Sequence, residues 1–236
     1  MITTASSIAA SRPRLRTYGD HPDADYRVVD YRGGPEGCRF TLTAYGDRLG
    51  ELVVPLGVKA ATNAAGAAAM ALELGVEFDA VVRALRGFGG VARRFQYRGE
   101  RDGVVFVDDY AHLPTEVAAA IVTARESVAG RVIVVFQPHR YTRTASLWAE
   151  FADAFVGADK VFITDVYAAG EEPITGVSGR LVAQAVSERH PALDVSYVEG
   201  RRDLAALPQR DARPGDIVLT LGAGDLTTMA DIWLAS

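Results

Sequence analysis

The chain has 236 residues, of which 49% are hydrophobic and 23% are charged. This composition is typical of a soluble globular protein that is long enough for more than one domain. The formal net charge of −5 argues against nucleic-acid binding as the main function, and no apolar run approaches the ~20 residues of a membrane span. The single cysteine, Cys38, excludes a disulfide framework and a cysteine metal cluster, and it fits a reducing cytoplasm.

The N-terminal third is predicted to be a small α+β unit. Residues 1–17 have no basic region followed by an apolar one, so a disordered lead-in is expected rather than a signal peptide. Alternating or apolar runs between Gly-rich turns predict three short antiparallel strands, at residues 26–31, 39–44 and 50–56. Helices are predicted over residues 60–74 and 78–85, each followed by a glycine. Three strands are too few for an independent barrel, so residues 18–90 are expected to be the edge of something larger.

From residue 91 onward, strand and helix patterns alternate with short connections. Strands are predicted at residues 104–107, 132–136, 161–164, 195–198 and 217–221. Helical segments are predicted at residues 115–126, 144–156, 180–188 and 203–207, and a last helix follows Gly224. This alternation predicts an α/β fold, a parallel sheet with flanking helices. Gly89 and Gly90 mark a hinge between the two parts.

The most informative stretch is FQPHRYTRT, residues 136–144, which follows four consecutive aliphatic residues. Such a run is typical of a strand buried on both faces, and parallel sheets bind ligands where their strands end. His139, Arg140 and Arg143 stand at this end, before a helix N-terminus, where their charges suit an anion. The alternative interpretation is a basic surface loop that merely follows a strand.

Polar or glycine-rich segments follow three other predicted strands. A carboxylate such as Asp109 at a strand end commonly binds a ribose hydroxyl pair or a metal. The alternatives are that Asp109 only starts the next helix and that His112 is a hydrogen-bonded structural histidine. The loop 222–224 is similar to a weak dinucleotide fingerprint, and close helix packing explains it equally well. We expect one edge of the sheet to present these side chains: Asp109, His112, His139, Arg140, Arg143, Tyr167 and Glu171.

Three motifs together resemble a known family. DDYAHLPTE (residues 108–116), FQPHRYTRT (136–144) and DVYAAGE (165–171), in this order and spacing, resemble the C-terminal domain of the Mur ligases, and within them the alanine-adding branch. GVARRF (90–95) and residues 57–64 resemble the junction after that family's central ATPase domain and the end of that domain. The resemblance covers residues 18–236. It implies a central-domain remnant over residues 18–90 and a Rossmann-like C-terminal domain over residues 91–236.

The resemblance also implies a reaction in peptidoglycan precursor synthesis. ATP, with Mg²⁺, phosphorylates the carboxylate of UDP-N-acetylmuramate, and the amine of L-alanine attacks the acyl phosphate. For the nucleotide, it implies Asn63 at the adenine, Asp109 at the ribose and Arg94 at the phosphates. Arginine forks suit the reacting carboxylates because each donates two parallel hydrogen bonds. The implied catalytic residues are Arg94, His112, His139, Arg140 and Arg143, and the implied substrate-binding residues are Tyr110, Tyr167, Gly170 and Glu171.

The sequence departs from the family pattern in three places. The central-domain motif H-N-x-x-N reads KAATN at residues 59–63, and Leu113 replaces a second histidine. The two lysines of the chain, Lys59 and Lys160, lie outside any G-K-[ST] context, so neither a phosphate-binding loop nor metal ligands are expected here. With the UDP-binding domain also missing, the chain is expected to be inactive alone and to need the missing domains, which a second chain could supply in trans.

Two other functions stay open from the sequence. The altered segment at residues 59–63 favours a free-standing degenerate module that binds a nucleotide or a small carboxylate without catalysis. The loop 222–224 gives weaker support to a dinucleotide-dependent oxidoreductase. Each of these hypotheses places the chain in the cytoplasm with small-molecule ligands, and none of them involves a nucleic acid or a membrane.

Overall fold

The computed structural model describes residues 15–34, 37–55 and 58–235, whose strands form two separate sheets. The described strands are β1 (Tyr18–Gly19), β2 (Tyr26–Gly34), β3 (Gly37–Ala44), β4 (Asp47–Val54), β5 (Gln96–Arg101), β6 (Val104–Asp109), β7 (Val132–Phe136), β8 (Lys160–Ile163), β9 (Asp194–Tyr197) and β10 (Ile217–Leu221). The described α-helices are α1 (Val58–Glu73), α2 (Phe78–Arg86), α3 (Pro114–Ser127), α4 (Tyr141–Leu147), α5 (Gly179–Arg189), α6 (Arg201–Ala205), α7 (Leu207–Asp211) and α8 (Met229–Ala235). None of these helices has the length and apolar character that a bilayer crossing requires.

The N-terminal unit is a four-stranded sheet in the spatial order β1-β2-β3-β4, covered on one face by α1 and α2. The antiparallel pairing of β2, β3 and β4 confirms the three predicted strands. Phe40, Leu42, Leu52 and Val54 are buried against the small side chains of α1. Alanine is common on α1 because a helix with small side chains approaches a sheet closely. The prediction missed β1, which is only two residues long.

The C-terminal unit is a six-stranded sheet in the order β5-β6-β10-β7-β8-β9. Strands β6 to β10 are parallel, which confirms the predicted α/β sheet, and β5 is an antiparallel edge strand. The side chains of β7 alternate between two cores. Val132, Val134 and Phe136 pack with α3 and α5, whereas Ile133 and Val135 pack with α6 and α8. Every residue of β7 and β10 is therefore buried, as their continuous apolar runs predicted.

Two predicted helices have different bounds in the structure. The helix predicted over residues 144–156 begins earlier, at Tyr141, and ends at Leu147, and a 3₁₀ turn follows over Glu150–Asp153. The early start is explained by Glu171, whose carboxylate accepts the Thr142 N–H in the first turn. The helix predicted over residues 203–207 is instead the two short helices α6 and α7.

The two units meet along α3. Its Glu126 carboxylate accepts a hydrogen bond of 2.8 Å from the Tyr31 hydroxyl of β2, and residues 87–95 connect the units in the chain. Most of the predicted lead-in, residues 1–14, lies outside the described residues. The end of the predicted lead-in is bonded to the N-terminal unit, because Arg16 donates to Glu73 and the Thr17 N–H donates to Asp25. Position 57 of the segment that resembles the central domain also lies outside the described residues.

Candidate active site at the carboxyl edge of the parallel sheet

The carboxyl ends of β6, β10, β7 and β8 lie level with one another. Leu221 pairs in register with Asp109 on one side and with Phe136 on the other, and Phe136 pairs with Ile163. Since parallel strands point the same way, the four loops that follow them emerge at one edge of the sheet. The expectation of a shared edge therefore holds, and we call this edge with its loops the rim.

Four rings form a row along the rim. The ring centroids of Tyr110 and His112 lie 5.4 Å apart, those of His112 and His139 lie 5.7 Å apart, and those of His139 and Tyr167 lie 5.7 Å apart. Backbone bonds fix the last pair, because the Tyr167 N–H donates to the Pro138 carbonyl and the Arg140 N–H donates to the Tyr167 carbonyl. The row thus joins loops from β6, β7 and β8, and these loops carry most of the predicted substrate pocket.

The two rim arginines have different supports. Nη1 of Arg143 lies 3.0 Å from Nδ1 of His139, one helical turn away. Arg140 has a backbone φ of 70°, a conformation that costs free energy in a non-glycine residue. Its guanidinium lies 3.9 Å from the Glu171 carboxylate. Both arginines keep donors available at the rim, since each guanidinium has five N–H groups.

Glu171 has a structural task at the rim. Its carboxylate accepts hydrogen bonds from the Thr142 N–H at 3.0 Å and from the Thr142 hydroxyl at 2.8 Å. These two bonds, and then the charge of Arg140, lower the pKa of Glu171. Gly170 adopts a φ of 85° in the turn directly before it, a region in which glycine is unstrained. The contacts of Glu171 therefore anchor the start of α4, and its predicted role in substrate binding stays a prediction.

The charge state of His139 follows from its surroundings. Burial, followed by the positive charges of Arg143 and Arg140, lowers the pKa of His139 below its usual value of 6.5. Each of these causes disfavours the imidazolium form. The ring of His139 is therefore neutral at pH 7.

A cavity of about 680 Å³ lies between the two units, next to the rim. The three residues predicted for nucleotide binding, Asn63, Arg94 and Asp109, all line it, although they come from α1, the linker and β6. Glu116 and Thr123 of α3 add polar groups. The remaining lining residues are apolar: Val54, Ala64, Ala67, Ala84, Leu85, Phe88, Val91, Phe95, Ala119 and Ala120. The cavity therefore suits a ligand with a flat apolar part and a polar end.

Within this cavity, Asp109 and Arg94 are held differently. The nearly buried Asp109 carboxylate accepts the N–H groups of Phe95 at 2.8 Å and Ala111 at 2.7 Å. The side chain of Arg94 is 47% exposed, and its guanidinium lies 5.5 Å from the centre of the Tyr110 ring. Arg94 thus connects the cavity with the row of rings on the rim.

Sequence reasoning missed a buried network beneath the rim, centred on Asp108. The Asp108 carboxylate is 1% exposed and accepts hydrogen bonds from the hydroxyls of Thr220 at 2.7 Å and Thr227 at 2.6 Å. Nε of Arg93 lies 3.4 Å from it, and Nη1 of Arg98 lies 4.0 Å from it. One signal was available. Consecutive strand residues point to opposite faces, so Asp108 and Asp109 cannot both face the cavity.

Arg93 also explains the glycine loop after β10. Its Nη2 donates to the carbonyls of Gly222 at 2.7 Å and Gly224 at 3.0 Å. A Cβ at Gly224 would lie 2.5 Å from Cγ of Tyr167 and closer still to the side chain of Gln137. Glycine is needed there for close packing, which favours the packing interpretation of residues 222–224 over a dinucleotide fingerprint.

The sequence assigned no metal ligand to this chain. Within the described ranges, no three His, Cys, Asp or Glu side chains come together as a metal site. Mg²⁺ in nucleotide sites is usually held by one or two carboxylates together with the phosphates of the substrate, and no step is assigned to that ion in this chain.

Comparison with known proteins identifies the class. The family model described as "Mur ligase, glutamate ligase domain" matches residues 93–224, more than half of the chain, and the chain belongs to the Mur ligase family. This result confirms the resemblance that the three motifs carried. Mur ligases depend on ATP.

Similar curated proteins belong to one branch of the family, the UDP-N-acetylmuramate–L-alanine ligases. The UDP-N-acetylmuramate–L-alanine ligase of Anaeromyxobacter sp. (strain Fw109-5) is 46% identical over 226 residues, covering 95% of this chain and 49% of that protein. The protein of the same name from Myxococcus xanthus is 45% identical, covering 94% and 48%. The crystal structure of UDP-N-acetylmuramate-alanine ligase from Thermotoga maritima has a TM-score of 0.76 at 25% identity, covering 93% of this chain and 47% of that one. The chain thus spans about half the length of these relatives.

Proposed function

We propose that this chain is the C-terminal portion of an ATP-dependent UDP-N-acetylmuramate–L-alanine ligase that works through an acyl phosphate. One observation carries the proposal. The nucleotide-type cavity and the cationic rim are adjacent, and Arg94 lines the cavity and lies beside the Tyr110 ring of the rim. Similar proteins named for this activity support the choice of substrates.

In this function the cavity holds the adenosine part of ATP. Its apolar wall accepts the faces of the purine, and Asn63 offers an amide at one end. Each carboxylate oxygen of Asp109 accepts a backbone N–H, and because a carboxylate oxygen can accept more than one hydrogen bond, Asp109 is suited to a ribose hydroxyl. The half-exposed guanidinium of Arg94 is the group of the cavity suited to phosphate.

The rim then aligns the two groups that react. Arg140 and Arg143 bind the carboxylate of L-alanine and the muramoyl carboxylate, with Tyr110 and Tyr167 as walls of a small pocket. Holding both partners in one pocket makes the attack effectively intramolecular. The positive charges of the rim also stabilise the oxyanion that develops as the amine attacks.

The test joins this chain to the N-terminal half of the Myxococcus xanthus ligase. With ATP, UDP-N-acetylmuramate and L-alanine, we expect ADP and an amide product detectable by mass spectrometry. Arg143→Ala should abolish the product, whereas Arg189→Ala, which changes a solvent-exposed arginine of α5, should leave it unchanged. A folded hybrid that makes no product, or an active Arg143→Ala variant, would contradict the proposal.

A free-standing binding module is the second candidate function. It is favoured by the fact that the cavity is formed wholly within this chain. Calorimetry with ADP, L-alanine and UDP-N-acetylmuramate distinguishes it. Binding of ADP that is lost in Asn63→Ala, together with an inactive folded hybrid, would favour the module over the ligase.

A further inference from the structure

The hydrogen-bond partners of His139 fix the position of its proton. Its Nδ1 lies 3.0 Å from Nη1 of Arg143, and a guanidinium donates but does not accept. Nδ1 must therefore be the acceptor. Because the ring is neutral, its proton is on Nε2, and His139 presents an N–H donor at the rim.

The partners of His112 fix the opposite arrangement. Its Nδ1 lies 2.9 Å from the carbonyl oxygen of Tyr110 and 3.4 Å from Oε2 of Glu116. A carbonyl and a carboxylate only accept, so Nδ1 carries the proton and Nε2 keeps a lone pair in the neutral ring. No hydrogen bond to this Nε2 is found within residues 15–34, 37–55 and 58–235. The side chain of His112 is 15% exposed, so part of the ring reaches the surface of the rim.

Glu116 sets this orientation. Its Oε2 also accepts the backbone N–H groups of His112 at 3.1 Å and Leu113 at 3.3 Å. The loop and the ring are therefore held by the same carboxylate. Its Oε1 lies 3.9 Å from Nη1 of Arg94, which couples the histidine to the nucleotide cavity. A carboxylate behind an imidazole is the arrangement that orients and strengthens a histidine base.

We propose that His112, oriented by Glu116, is the general base for the incoming amine, and that His139 is a hydrogen-bond donor to a substrate oxygen. The inference rests on the proposed ligase function, and Glu116 acts in it as a positioning residue. Two histidines with ring centroids 5.7 Å apart thus have complementary roles, one accepting a proton and one donating a hydrogen bond.

The proton balance is as follows. The ammonium group of L-alanine gives one proton to Nε2 of His112, which leaves a neutral amine with a free electron pair. The amine nitrogen forms a bond to the acyl carbon, and the bond between that carbon and the bridging phosphate oxygen breaks. Phosphate leaves with the electron pair and takes the second amine proton as hydrogen phosphate. The imidazolium of His112 then returns its proton to solvent. His139 Nε2–H meanwhile donates to a substrate oxygen without giving up its proton.

The first test uses this chain alone. The chain has four histidines, so their ring nitrogen signals in a ¹⁵N-labelled sample are separable. His21, which is exposed, and His190, which pairs with Asp153, are references outside the rim. At neutral pH we expect His112 to be the Nδ1–H tautomer and His139 to be the Nε2–H tautomer. The same tautomer at both positions would overturn the inference.

The second test uses the active hybrid and two nucleophiles. L-Alanine must lose a proton before it attacks, whereas hydroxylamine is already neutral at pH 7 and needs no base. General-base catalysis typically contributes about 100-fold or more. His112→Gln should therefore lower the rate with L-alanine by ~100-fold and leave the rate with hydroxylamine nearly unchanged. Glu116→Gln should show a smaller loss with the same selectivity, and His190→Gln should show none.

The outcomes separate the two proposals. If His112→Gln loses both nucleophiles equally while its urea unfolding curve is unchanged, His112 binds or positions substrate and the base role is wrong. An unaltered rate with L-alanine also refutes that role. If the unaltered hybrid forms neither the amide nor the hydroxamate, the ligase function itself fails and the base role falls with it.

Discussion

The buried carboxylate of Asp108 provides a strong test of how the rim is held together. Asp108→Ala removes the acceptor of two threonine hydroxyls and the negative charge beside Arg93 and Arg98. Hydrogen bonds to a charged group contribute about 1.5–3 kcal/mol each, and breaking a buried ion pair costs about 3–5 kcal/mol. Since the carboxylate is 1% exposed, we expect a loss of about 4 kcal/mol in the free energy of unfolding.

The matched control uses the same arginine. Asp231 accepts a 2.6 Å hydrogen bond from Nη2 of Arg98, but its side chain is 65% exposed. Asp231→Ala should therefore lower the free energy of unfolding by no more than about 1 kcal/mol. Urea unfolding followed by tryptophan fluorescence measures both variants, because Trp148 and Trp233 both lie in the C-terminal unit. Asp108→Asn, which keeps the shape of the side chain, gives a milder variant if Asp108→Ala does not fold. Equal losses for the Asp108 and Asp231 variants would refute the reasoning.

Two further predictions concern the rim and the opposite end of the sheet. Gly224→Ala should lower the free energy of unfolding by about 1–3 kcal/mol, because the added methyl group overpacks the site. The methyl group should also displace the Tyr167 ring and change its aromatic NMR signal, and an unchanged signal would contradict the close packing. For Asp216, burial alone would raise the pKa, but hydrogen bonds from the Arg131 guanidinium and from backbone N–H groups outweigh it and lower the pKa below 3.8. A carboxyl with a lowered folded pKa stabilises the fold above its unfolded value and loses this effect as the pH falls. Asp216→Asn should therefore flatten the loss of stability measured by urea unfolding below about pH 4, and an unchanged slope would exclude this contribution.

The sequence predicted best those elements in which a single physical requirement, such as burial on both faces, determines the residue types. The bounds of β7 and β10 were predicted correctly because fully buried parallel strands need continuous apolar residues. Strand β5, QYRGER, was missed because an edge strand has one open side and tolerates polar residues. The start of α4 was missed because a carboxylate 29 residues away in the chain caps it.

The candidate site shows the same division. The motifs around His112 and His139 predicted which side chains meet at the rim, and the level strand ends explain why they do. The supporting residues were not predicted. Arg93 differs from Arg94 only in the direction of its side chain, and nothing in the sequence indicated that Glu116 accepts the N–H groups of His112 and Leu113. Neither burial nor hydrogen-bond partners can be read from residue types alone.

The hydrogen bonds between Arg93 and the C-terminal unit limit where the connection between the two units, residues 87–95, can bend. Arg93 is bonded through its side chain to the loop after β10, and its carbonyl accepts the Tyr110 N–H at 2.6 Å. Any rotation between the units would therefore have to bend the chain within residues 87–92. In such a rotation Arg94 would move with the six-stranded sheet and Asn63 with the four-stranded one, so a wider cleft would separate the two side chains. A ligand that contacts both residues would hold the two units together, and its release would allow them to separate.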